Sequence, residues 1–265
     1  GNSRVVRLLY RDGRLGFVKS FGSEGEAPGQ FRYPSQIAIG HSGTLYVTDT
    51  GNDRIALMSP AGECLSTLTG DDWDVPSLSG PTGLAAVEAD DPWITRHRDF
   101  IAVSDMNGRR LLKLNRRGEL MASAMASDLP FEDASFDYLA IDYYGSVYAT
   151  DRCNSTIHKF GWNLNYITSI GRPGDGHMEL EQPRGITIWR RFGQIFITER
   201  AGAQYFWIGT EIRDATVEPS PEGSDRPIVV RYDLTEVSRV DLELVDESGD
   251  VVHTIVNGRR RAIGE

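Results

Sequence analysis

Asp49, Asp105, Asp151 and Glu199 each close a short apolar run, at steps of 56, 46 and 48 residues, and Arg54 and Arg110 follow the first two acids by five residues. A carboxylate at a strand end accepts backbone N–H bonds from the tight turn that follows and pairs with a cation across it. Residues that repeat with a structural unit normally serve that unit, so these six are expected to be turn staples before they are ligand contacts. The remaining residues capable of chemistry are scattered. His41, His97, His158, His177 and His253 fall at unrelated positions of the pattern and predict no shared metal site. Cys64 and Cys153 show no CxxC or Cys/His spacing and are too few for a disulfide framework; they read as free, partly buried thiols. There is no GxSxG elbow, and the glycine-rich run 171–176 reads as a linker, not a phosphate cradle. The expectation is no catalytic residue, no metal and no cofactor.

Two loops exceed what the repeat needs, and long loops on a rigid scaffold are where binding residues gather. Residues 71–80 carry Asp71, Asp72, Trp73 and Asp74; residues 88–99 carry Asp90, Asp91, Trp93, His97 and Arg98. Acids beside an exposed Trp suit a protein interface or a weak Ca²⁺ site, and they equally suit a solvated loop whose Trp covers a sheet edge. Further along, Trp189, Arg190, Arg191, Tyr205 and Trp207 make an aromatic and basic stretch in which alternation assigns every second side chain to the core. The candidate interface is therefore Trp73, Trp93, Asp72, Asp74, Arg98, Arg190 and Arg191.

The elements that must position these residues follow from the repeat. Residues 34–70 divide into the runs QIAI, TLYVTD, RIALM and ECLSTL, separated by turn residues at 41–43, 50–52 and 60–62. That is one four-stranded blade, and the pattern returns in 81–123, 136–171 and 182–209. Steps near 40 to 50 residues are those of propeller blades, so the fold expected is an all-β propeller.

These residues resemble the NHL repeat family. The first full blade carries the resemblance through Pro34, Ile37, Ala38, Gly43, Leu45, Tyr46, Val47, Asp49, Asn52, Arg54, Ile55 and Gly62, preceded by a GQF linker at 29–31. The second keeps Leu84, Gly108, Arg110 and Gly118 around the insertion 88–99; the third has Asn154 but Thr156 in place of the Arg; the fourth has Glu199 and Gln204. Gly1, Asn2 and Arg4 align with Gly51, Asn52 and Arg54, giving about four and a half NHL-type blades over 1–210. The two absent strands are expected either from the C-terminal part of the ring or from sequence preceding this chain. NHL-like rings commonly have six blades, which favours the second source.

Pro219, Pro221, Gly223 and Pro227 mark a boundary loop. Beyond it, IVVRYDL and VDLELVD alternate strictly, and a hairpin turn follows them at 247–250. This segment, 211–265, resembles the start of a FlgD-type immunoglobulin-like module, implying an incomplete β-sandwich of the kind appended to bacterial secreted proteins.

A net charge of −10 lacks the basic footprint that nucleic-acid binding needs, and no apolar window approaches the roughly 20 residues of a membrane-spanning helix. The function expected is a non-enzymatic interaction or scaffolding module, binding other proteins as an accessory subunit of a bacterial extracytoplasmic or surface assembly. The alternatives are a metal-dependent propeller lactonase or lyase with a central-channel site, and a carbohydrate-binding surface protein.

Overall fold

The computed structural model describes residues 2–71, 73–176, 178–207, 209–219 and 228–262. The chain forms two compact units, Gly1–Phe206 and Trp207–Glu265. In the first unit, β1 (Val5–Arg11) and β2 (Arg14–Phe21) make a two-stranded ribbon. Its turn, Asp12-Gly13, has positive φ at both residues, the conformation that matches the right-handed twist of a tight hairpin.

Three four-stranded antiparallel meanders follow. Blade 1 is β3 (Pro34–Ile39), β4 (Leu45–Asp49), β5 (Arg54–Met58) and β6 (Cys64–Leu68). Blade 2 is β7 (Leu84–Val87), β8 (Phe100–Asp105), β9 (Arg110–Leu114) and β10 (Leu120–Met125). Blade 3 is β11 (Leu139–Ile141), β12 (Val147–Asp151), β13 (Thr156–Phe160) and β14 (Tyr166–Ile170). A linker containing the short parallel pair β15 (Arg172–Pro173) and β16 (Glu179–Leu180) leads to a three-stranded sheet of β17 (Ile186–Trp189), β18 (Gln194–Thr198) and β19 (Ala203–Trp207). The isolated parallel bridge Glu24–Phe31 occupies the matching place before blade 1.

The first strands β3, β7, β11 and β17 touch in succession, the propeller-like arrangement. Cores form between blades: Tyr46, Ile55 and Leu57 of blade 1 bury against Leu84, Ile101, Val103, Leu112 and Leu114 of blade 2. A second cluster joins Ala85, Ala102 and Leu111 to Val147, Ala149 and Phe160 across blades 2 and 3. Fully burying one such aliphatic or aromatic side chain contributes about 1.5–3 kcal/mol, so the junctions stabilise the array. Strands β8, β9, β12 and β13 are buried at every residue because a neighbour covers each face, and they bury polar side chains such as Arg110, Lys113, Asp151 and His158 along with their apolar ones. Strands β17 and β18 instead alternate between buried and accessible positions, since one face is uncovered.

In the second unit, β20 (Ile212–Pro219) pairs antiparallel with β21 (Ile228–Leu234), and β22 (Ser238–Val245) with β23 (Val251–Arg261) through a turn at 246–250. The segment taken for a boundary loop thus begins as a strand. Pro219 is its last residue, where a missing N–H costs no ladder bond. Pro221, Gly223 and Pro227 lie outside the described residues.

Candidate functional site

The strand-end acids act as clamps. Each accepts the backbone N–H of the linker that enters its own blade: Arg32 to Asp49 at 2.6 Å, Ser79 to Asp105 at 3.1 Å, Ser135 to Asp151 at 3.1 Å and Glu181 to Glu199 at 2.6 Å. The expected partner was the following turn; Asp151 alone is also bonded by backbone N–H groups there, those of Cys153 and Asn154. Arg54 Nε donates to Asp49 at 2.8 Å and Arg110 Nε to Asp105 at 2.8 Å, and both guanidinium groups also bond linker carbonyls. In blade 3, with Thr156 at the Arg position, the fully buried His158 supplies the partner, its Nε2 3.0 Å from Asp151 Oδ2. Burial alone would raise the Asp151 pKa, but the bonds from His158, Asn154 and Ser135 outweigh it and hold the group at about 2.

A hydroxyl directly before each acid repeats as faithfully. Thr48, Ser104, Thr150 and Thr198 accept N–H groups at 2.8–3.1 Å from Gln36 in β3 and from Gly83, Tyr138 and Gly185, each directly before its first strand. Thr48 and Thr150 then donate to Thr82 O and Arg184 O of the next sheet, at 3.0 and 3.2 Å. The pairs TD, SD, TD and TE carry this signal in the sequence, where it went unread.

On the side of the first-to-second strand turns, Glu88 directly follows β7 and is 2% exposed. Its carboxylate accepts Ser42 N at 2.6 Å, Ser42 Oγ at 2.9 Å and Tyr46 Oη at 3.1 Å, across the junction with blade 1. Desolvation pushes its pKa up, and these bonds together with Arg116 pull it below the ordinary range. Gly40 makes the room: a Cβ there would lie 2.4 Å from the Glu88 carboxyl group. Asp142 holds the corresponding place in blade 3 and accepts Tyr144 N, Ser146 N and Tyr148 Oη. Burial raises its pKa despite the nearby Lys159 charge.

The insertion 88–99 rises from Glu88 and is fixed on three sheets. Ile94 is buried in the blade 2/3 core, and Thr95 N donates to Tyr143 O of blade 3 at 3.0 Å. Asp99 caps Ala89 N at 2.6 Å, and Asp91 Oδ1 accepts Trp93 N at 2.8 Å. Asp91 also pairs with Arg190, at the β17–β18 turn. Beside that ion pair, the Arg191 guanidinium lies 5.2 Å from the Trp93 ring and 4.9 Å from the Phe192 ring, and Trp189 meets Phe192 edge-on at 4.8 Å. Trp93, Phe192 and Trp189 remain 42%, 44% and 59% exposed. Arg96, farther along the insertion, stacks at 4.8 Å on Trp162, which also receives the buried Lys113 ammonium group at 3.1 Å. Lys113 Nζ bonds Trp162 O at 2.7 Å; desolvation, with Arg96 adding to it, lowers its pKa to about 7.

The structure thus brings Trp93, Arg190 and Arg191 together, on a seat made by Asp91. Arg98 is exposed on the same insertion. Trp73 belongs to a different neighbourhood: its Nε1 donates to Gly118 O at 2.7 Å, and its ring packs on the blade 1/2 core. Trp73, Asp74 and Arg117 line a rim groove of about 370 Å³. Asp72 lies outside the described residues. Cys64 is half-buried, whereas Cys153, expected to be partly buried, is exposed because it sits in the β12–β13 turn. Among the described residues no group of three or more His, Cys, Asp or Glu side chains is arranged to hold a metal ion, and no helix is long and apolar enough to cross a membrane.

No protein-family model matches the chain, and no curated protein does. Solved structures do. A catalytically inactive virginiamycin B lyase from Staphylococcus aureus with quinupristin superposes with TM-score 0.50 and 18% identity over 76% of this chain. A chain of a nidogen/laminin complex gives 0.52 and 18% over 77%, covering 71% of that chain. A gluconolactonase from Xanthomonas campestris gives 0.50 and 14% over 77%, covering 65% of that chain. This chain spans 57% of the lyase's length. These neighbours are β-propeller proteins, and at such identities what the likeness shows is the fold: this chain is an all-β, propeller-like array of blades.

Proposed function

We propose that the chain is a non-enzymatic interaction propeller of NHL-type blades followed by a FlgD-type immunoglobulin-like module, an accessory subunit of an extracytoplasmic bacterial assembly. The observation that carries this reading is the platform of Trp93, Arg191, Phe192 and Trp189. These side chains are large and partly exposed, and they are held in place by the Asp91–Arg190 ion pair and the buried Ile94. Aromatic and Arg side chains with fixed orientation are the residue types that dominate protein interfaces, because they bring area and directed donors at small entropic cost. The stacked guanidinium group of Arg191 gives the platform a preference for a partner that presents carboxylates. The clamps at Asp49, Asp105 and Asp151 are occupied by the fold itself, which supports a scaffold whose contacts lie on loops.

The test is affinity capture with the whole chain, comparing W93A/R191E with Trp73→Ala. The proposal expects the double variant to lose the proteins that the unaltered chain retains, and Trp73→Ala to keep them. Equal capture by all three would overturn the platform as an interface. A second reading, a channel-centred lyase or lactonase, is favoured by two of the structural neighbours, an enzyme of each kind. Metal analysis of the purified chain separates the two, since a stoichiometric divalent ion supports the enzyme.

A further inference from the structure

Blade 3 carries more of a hydrogen-bond chain than its clamp needs. His158 meets Asp151 through Nε2 at 3.0 Å and Ser169 Oγ through Nδ1 at 2.8 Å, and Ser169 Oγ in turn lies 2.8 Å from Tyr166 Oη. The directions of these bonds follow from the carboxylate. Asp151 also accepts from Ser135, Cys153 and Asn154, and with its pKa held at about 2 it can only accept. The neutral ring therefore carries its proton on Nε2, Nδ1 accepts the Ser169 hydroxyl proton, and Tyr166 Oη donates to the Ser169 oxygen.

The neighbouring blades isolate what is special here. His158 pairs across the sheet with Ser169, and the matching pairs are Leu112 with Ser123 in blade 2 and Ala56 with Thr67 in blade 1. A hydroxyl recurs at this place, and of the three blades blade 3 alone sets an imidazole opposite it with a carboxylate beyond. In blades 1 and 2 the clamp closes through Arg54 and Arg110, whose further bonds go to linker carbonyls, so the clamp itself does not call for Ser169. His158 is fully buried, with the Phe131 ring 4.9 Å and the Phe136 ring 6.2 Å away, whereas Ser169 is half-buried on β14, the outermost strand. The chain of bonds thus runs from the blade 2/3 interior to the accessible rim.

A hydroxyl, a base within hydrogen-bond reach and a third group that orients the base are the parts of an activated nucleophile, recognised by geometry and roles whichever ring nitrogen faces the hydroxyl. We propose that Ser169 is a reactive nucleophile that accepts an acyl group from an activated ester, with His158 as its general base and Asp151 as the residue that positions the ring. As Ser169 Oγ attacks the ester carbonyl carbon, its proton passes to His158 Nδ1, and the Asp151 carboxylate stabilises the imidazolium so formed. The bond from the carbonyl carbon to the leaving oxygen then breaks, that oxygen takes the proton from Nδ1, and Ser169 is left as an ester.

The test incubates the whole chain with p-nitrophenyl acetate, times nitrophenol release by absorbance and locates the acetyl group by peptide mass spectrometry. The expected result is a stoichiometric burst with the acetyl group on Ser169 and none on Ser123 or Thr67, the matching hydroxyls that lack the imidazole. The burst rate should fall on acidification, as the ring takes up its second proton and can no longer accept one. Ser169→Ala should abolish the burst, and His158→Gln should slow it by roughly 100-fold or more. Circular dichroism checks that both variants fold; should H158Q not fold, the pH profile of the unaltered chain answers the same question. A chain without acetyl on Ser169, equal acetylation of Ser123, or a burst rate indifferent to acidification would each overturn the proposal.

Discussion

In blade 2, Asp105 is fully buried, Arg110 meets it from the start of β9, and the guanidinium group goes on to bond the linker carbonyls of Pro76 and Ser77. In the three-stranded sheet, Gln204 stands at the position of Arg110. It reaches the linker at Glu179 O, yet Glu199 Oε1 is left buried with no hydrogen-bond partner among the described residues. The same repeat unit therefore yields a closed clamp where both faces are covered and an open one where a face is bare. The difference teaches that the clamp and the blade junction act as one device: an ion pair can be held in a precise geometry only where neighbouring sheets exclude water and fix both partners.

The comparison can be broken most severely at Asp105. Asp105→Ala leaves the Arg110 guanidinium buried without its carboxylate and should cost about 3–5 kcal/mol, read from the urea midpoint. Glu199→Ala should cost less than about 1 kcal/mol, since its clamp is incomplete. Equal losses would dissolve the distinction. Next in size is acid sensitivity in blade 3. The Asp151 pKa is lowered from 3.8 to about 2, so its contribution is present above pH 4 and is lost as the pH falls through 2. Asp151→Asn should remove that part of the acid transition, on the order of 2 kcal/mol. A gain is expected from Gln204→Arg, which gives Glu199 the missing cation and should stabilise the sheet by about 0.5–2 kcal/mol, seen as a higher Tm. A further effect is a slope spread over several pH units. The Lys113 pKa is lowered from 10.5 to about 7, so the folded chain sheds a proton that the unfolded chain keeps, and stability should rise between pH 7 and 10. Lys113→Met should flatten that rise.

Much of this was legible because each blade writes its own punctuation. The runs ending at Asp49, Asp105 and Asp151, with Gly43, Gly62, Gly118 and Gly145 at positive φ in the turns, define strands by alternation and turn chemistry alone. The Asp49–Arg54 and Asp105–Arg110 pairs were legible because their five-residue spacing repeats. His158 was not: it lies seven residues after its acid, inside a strand, and only the fold directs its ring to Asp151. Neither was the seat of the Trp93–Arg191 cluster, because Asp91 and Arg190 are 99 residues apart and no local pattern links them. The strand β20 hid behind prolines, where pairing with β21 overrode the local signal for a loop.

The bonds from linker to strand-end acid also set how the chain should respond to force. They span 17, 26, 16 and 18 residues, so each fastens a short loop that contains the first two strands of one sheet. Stretched between its two ends, such an array should lengthen in a staircase, each step releasing one loop while the sheets behind it stay folded. The three-stranded sheet, with its clamp half made, should be the step of lowest force.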